Sequence, residues 1–116
     1  MINRGAFVLR HKQPAVDWLI AALPQLNGRA VTLADLNEEL TVYLVSDATV
    51  ETPESFRRWL KRNYQALFET ELEGWCTDRN LWPPERSFLL FCAWFDAERH
   101  SVVVDLAGGE LHDDEF

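Results

Sequence analysis

The apolar positions of this chain keep two periods, and the switches between them mark out its elements. Residues 6–12 (Ala-Phe-Val-Leu-Arg-His-Lys) form a short extended run and predict a first strand. Pro14 suits the first turn of a helix, where its missing N–H costs nothing. Val16, Leu19, Ile20 and Leu23 then recur at helical spacing, until Pro24 and Asn27-Gly28 end the element. Thr32 with Asp35 caps a short turn of helix running to Glu39. The β-branched and aromatic run from Thr41 to Ser46 predicts a second strand.

The clearest element follows. Thr52 is a good N-cap, Pro53 a good first helical residue, and Glu54 complements the helix dipole. Phe56, Trp59, Leu60, Tyr64, Leu67, Phe68, Leu72 and Trp75 repeat in steps of three and four, with Gly74 at the end. About 22 residues at a 1.5 Å rise make a rod of roughly 33 Å, the spine of a small domain.

Beyond it, Cys76 to Trp82 form a polar connection closed by Pro83-Pro84. Residues 85–95 admit two readings. Pro83-Pro84-Glu85 is a helix start, and Phe88, Phe91, Trp94 and Phe95 share one helical face; this is the reading adopted. The unbroken apolar run from Phe88 to Phe95 also fits a central strand buried on both faces. Residues 98–106, ending Ser-Val-Val-Val-Asp-Leu, predict a last strand, and Gly108-Gly109 turns the chain into an acidic tail. The expected architecture is α+β: a small sheet of about three strands packed against a long central amphipathic helix and shorter helices. Residues 1–109 form one domain and residues 110–116 the tail.

Composition narrows the function classes. A hydrophobic fraction of 47% with 26% charged residues is globular, and 116 residues suit one domain. No apolar run approaches the roughly 20 residues that span a bilayer, and no signal-peptide core opens the chain, so a cytoplasmic protein is expected. A net charge of −8 argues against general affinity for nucleic acid or an anionic membrane. Charge is also unevenly placed: residues 1–62 carry +1 and residues 63–116 carry −9.

Arg57, Arg58, Lys61 and Arg62 place four of the 11 cations within six residues of the long helix, while Glu69, Glu71 and Glu73 occupy its C-terminal half. Both groups oppose the helix dipole, and Arg57/Lys61 and Arg58/Arg62 are like-charge i, i+4 pairs. Taken alone, the helix is charged the wrong way round. Compensation is therefore expected from elsewhere: from the acidic tail, from Glu38, Glu39, Asp47 or Glu51, or from an acidic partner or small anion.

No reaction signature accompanies this pattern. His11, His100 and His112 lack an i, i+4 partner, and Cys76 and Cys92 form no CxxC, so no metal site is expected. Cys76 sits among Glu71, Glu73 and Asp78, which disfavours a thiolate, and Cys92 reads as a small core residue. Gly108-Gly109 lacks the residues of a phosphate loop. Trp18, Trp59 and Trp94 fall at core phases, whereas Trp75 and Trp82 flank the polar connection. There they either seal the helix end or present indoles to a partner.

Thr41-Val-Tyr-Leu, Leu67-Phe68-Glu69 with Leu72 and Trp75, Asp78, Leu81-Trp82-Pro83 with Arg86, Phe91 with Trp94-Phe95, and His100-Ser101 with Asp105-Leu106 together resemble a family of short uncharacterised bacterial proteins. The likeness covers most of the chain as a pattern of aromatics. It implies a single bacterial cytoplasmic domain and attaches no activity to it.

The functional expectation is a binding or regulatory module, a monomer or homodimer, without catalytic residues, cofactor or metal. It recognises a protein partner through Arg57, Arg58, Lys61 and Arg62 and an exposed loop bearing Trp75 and Trp82. The alternative is a small-molecule binder or minor enzyme with a pocket between sheet and helices. A flat patch of exposed tryptophan and arginine favours the first; a concave pocket with convergent titratable groups favours the second.

Overall fold

A computed structural model describes residues 4–22 and 32–107. Strand β1 (Arg4–His11) leads into helix α1 (Gln13–Ala22), a four-residue helix α2 (Leu33–Leu36), strand β2 (Val42–Ser46), the long helix α3 (Pro53–Trp75), helix α4 (Phe88–Trp94) and strand β3 (Phe95–His100). A single 3₁₀ turn, Arg79–Leu81, interrupts the connection between α3 and α4. The sheet has the order β2-β1-β3 with both pairs antiparallel, so the fold is α+β as the periodicities predict. No helix of the described residues is long and apolar enough to cross a membrane.

Local chemistry accounts for the helix starts. Thr52 accepts from the Ser55 amide and Ser55 returns the bond to the Thr52 amide, closing a capping box worth about 1 kcal/mol. Thr32 and Asp35 do the same for α2. Helix α4 begins later than the prolines suggest, because Ser87 rather than Pro83-Pro84-Glu85 caps it through the Leu90 amide.

One face of the sheet carries the core. Phe7 and Leu9 of β1 meet Phe56, Leu60, Leu67, Phe68 and Leu72 of α3, with Phe91, Trp94 and Phe95 closing the far side. Phe7 and Phe68 are fully buried, whereas Trp18 and Trp59 are half-buried and pack at the core's edge. Ile20, expected on the apolar stripe of α1, is exposed, and Leu23 to Gly28 lie outside the described residues. On the opposite face Val42 and Leu44 stay exposed beside an Arg10–Glu98 ion pair, with His100 Nε2 3.0 Å from Glu98 Oε2.

The last strand differs from expectation. It spans 95–100, not 98–106, because α4 ends at Trp94 and Phe95 enters the ladder at once, opposite His11. His100 already faces Ala6, so the described part of β1 offers partners only as far as Val102. Residues 101–106 carry strand propensity but lie outside the ladder, and Val102, Val104 and Leu106 are exposed. Gly108-Gly109 and the tail of Glu110, Asp113, Asp114 and Glu115 lie outside the described residues.

Gly5 shows how tightly the β2–α3 turn seats on the sheet. A Cβ built there overlaps Cγ2 of Val50, a fully buried and stiff side chain, and lies 3.4 Å from the His100 carbonyl oxygen. Gly5→Ala is therefore expected to cost about 1–3 kcal/mol in chemical denaturation, with part of the loss recovered when Val50→Ala is combined with it. A neutral Gly5→Ala would contradict this packing.

Candidate functional site

A concavity lies where the N-terminal half of α3, α4 and β3 meet. It encloses about 330 Å³, and its apolar walls include Phe56, Leu60, Phe88, Phe91 and Phe95. Three cations from three separate elements converge on it: Lys12 after β1, Arg57 on α3 and Arg99 on β3, with Asp96 as the one acid. Each is held in place. Lys12 Nζ donates to the Cys92 carbonyl at 2.9 Å, and Arg99 donates to the Val50 carbonyl at 2.8 Å. The Arg57 guanidinium rests 5.3 Å from the Phe88 ring centroid. A lysine has three donors and an arginine five, so all three cations retain N–H groups for an incoming anion.

The expected basic face divides here. Arg57 lines the cleft; Arg58, Lys61 and Arg62 are exposed and do not. Among the described residues none of the four makes an ion pair, and neither Glu38, Glu39, Asp47 nor Glu51 compensates them. Of the three cleft cations, only Arg57 belongs to the basic cluster that the sequence singled out. Lys12 and Arg99 were invisible because nothing in their sequence surroundings marks them; only the β1–β3 pairing brings them to the same cleft.

No known protein family, curated protein or solved structure matches the chain. The geometry must therefore speak for itself.

It corrects the expectation of an exposed tryptophan loop. Trp82 is only 4% exposed and donates its indole N–H to the Cys76 carbonyl at 2.8 Å. The guanidinium carbons of Arg79 and Arg86 lie 4.6 and 5.6 Å from its ring centroid. Both arginines also reach Glu69, at 4.0 and 3.6 Å. Trp82 thus folds back and seals the end of the core, since burying its large ring gains more than presenting it. Trp75 is half-buried, stacked on Phe95 and set against His11 and Trp18. Cys92 is half-buried beside the cleft rather than fully in the core, and Cys76 is likewise a half-buried free thiol.

A polar cluster escaped sequence reasoning altogether. His11 is the buried polar residue of the core, at 7% exposure, and its Nε2 lies 3.5 Å from Glu71 Oε1. The Tyr43 hydroxyl donates to Glu71 Oε2 at 2.5 Å. Burial, followed by the hydrogen bond to that carboxylate, pushes the Tyr43 phenol far above its usual range, so it remains a donor. Glu69 is thus compensated across the fold by Arg79 and Arg86, and Glu71 accepts a hydrogen bond from Tyr43.

Proposed function

We propose that this chain is a cytoplasmic binding protein for a small anion with an apolar body, most simply an aromatic carboxylate, held in the cleft between α3, α4 and β3. One observation carries the reading: Lys12, Arg57 and Arg99 converge over a phenylalanine-lined hollow on a molecule that is otherwise strongly acidic. The apolar walls take up the ligand body and the cations its charge, the composition expected of small-molecule sites. The positive end of the α3 dipole, at Pro53, favours the same charge.

Calorimetry with 3-phenylpropionate against its neutral amide tests the idea. The acid is expected to bind and the amide to bind at least about tenfold more weakly, since a charge-assisted hydrogen bond is worth about 1.5–3 kcal/mol. Arg57→Glu should remove the preference, Arg58→Glu should not, and bound acid should slow iodoacetamide labelling of Cys92. Equal loss from the two reversals would reject the cleft.

That outcome would support the second reading, an acidic protein partner docked on α3. Its supporting observation is that Arg58, Lys61 and Arg62 are exposed and make no ion pair among the described residues.

A further inference from the structure

A second cleft, of about 210 Å³, lies at the other end of α3, where His11, Glu39, Tyr43, Glu71 and Trp75 come together. We propose that it binds a small organic cation bearing a primary ammonium group.

The argument starts from the tautomer of His11. Asn37 Oδ1 accepts the His11 backbone N–H at 2.8 Å, while Asn37 Nδ2 donates to the His11 carbonyl at 3.2 Å. These two backbone groups fix which end of the Asn37 amide is oxygen. The same Oδ1 lies 3.0 Å from His11 Nδ1, so the neutral ring carries its proton on Nδ1. In that tautomer Nε2 is a bare lone pair. It belongs to a side chain 5% exposed, makes no hydrogen bond, and faces Glu71 Oε1 across 3.5 Å. The other carboxylate oxygen is already taken by the Tyr43 hydroxyl. In that tautomer the buried Nε2 and the largely buried Oε1 face each other as two acceptors with no hydrogen between them, a pair that an added donor would relieve.

An ammonium group supplies what is missing. Its several N–H groups suit Glu71 Oε1, the more accessible of the two acceptors, and its charge is matched by Glu71 and Glu39. The Trp75 and Tyr43 rings offer cation–π surface, and the negative end of the α3 dipole adds to the potential. The volume equals about seven waters at ~30 Å³ each, so the ligand is a short amine. This site shares no lining residue with the cationic cleft and stands or falls separately from it.

Titration at neutral pH with n-butylammonium, followed by calorimetry and by NMR of the His11 ring, provides the test. Tetramethylammonium, a cation without N–H, and butan-1-ol, a neutral analogue, are the controls. n-Butylammonium is expected to shift the His11 resonances and to bind at least about tenfold more tightly than either control. Glu71→Gln should weaken it by about tenfold or more, and the exposed Glu39→Gln, which leaves the buried cluster intact, by about threefold. The proposal is overturned if tetramethylammonium binds equally well, or if the His11 ring is unmoved at saturating amine. It is likewise overturned if nitrogen NMR finds Nε2 already protonated in the free protein.

Discussion

Replacing Phe68 by alanine is expected to cost about 3–5 kcal/mol, a large share of the 5–15 kcal/mol that holds a domain folded. Phe68 is fully buried on α3 and meets Phe91, Trp94 and Phe95 at ring-centroid distances of 5.8, 5.3 and 5.7 Å, each edge to face. It is therefore the pin that joins α3 to α4 and to the start of β3. With a urea m-value of about 2 kcal/mol/M, the denaturation midpoint should fall by roughly 2 M. Trp59→Ala, by contrast, removes a half-buried ring whose closest aromatic neighbour is Phe7 at 5.6 Å, and should cost less. A midpoint that moves more for Trp59 than for Phe68 would reverse this assignment of the core.

Trp82→Ala is expected to be similarly damaging, about 3–5 kcal/mol, although the residue lies in a connection and not in a helix or strand. The substitution removes the buried ring, orphans the Cys76 carbonyl and leaves the Arg79 and Arg86 guanidiniums without the surface they lie against. Trp82→Phe retains one six-membered ring but loses the fused ring and its N–H, so about 1–3 kcal/mol of the damage should remain. Denaturation of both variants is the measurement. A Trp82→Ala protein with an unchanged midpoint would mean that the ring presents itself to a partner instead of closing the fold.

The charge pattern of α3 connects sequence to site. Cations in its N-terminal half and acids in its C-terminal half both oppose the dipole, so helix stability does not explain them. The two clefts do. Arg57 reinforces the positive end of the helix where the cationic cleft opens, and Glu71 reinforces the negative end where the His11 cleft opens. Like charges at like dipole ends cost local stability and raise the potential that each cleft presents to a ligand of opposite sign.

The sequence alone determined what is set within a turn of helix or a short strand. Thr52 and Pro53 start α3 because a cap bonds residues three positions away, and the stripe from Phe56 to Trp75 names the buried face because the helical period is local. The strands at β1 and β2, and the helix over Phe88 to Trp94, were legible for the same reason. Tertiary structure alone decided the rest. The start of β3 was set by the end of α4 at Trp94, and the burial of Trp82 by its packing onto the closed core. The convergence of Lys12, Arg57 and Arg99, and the pairing of His11 with Glu71, depend on strand register and on the packing of α3 across the sheet. The cleft and the His11–Glu71 contact join residues far apart in the chain, where no periodicity runs, and they exist only once the core has closed.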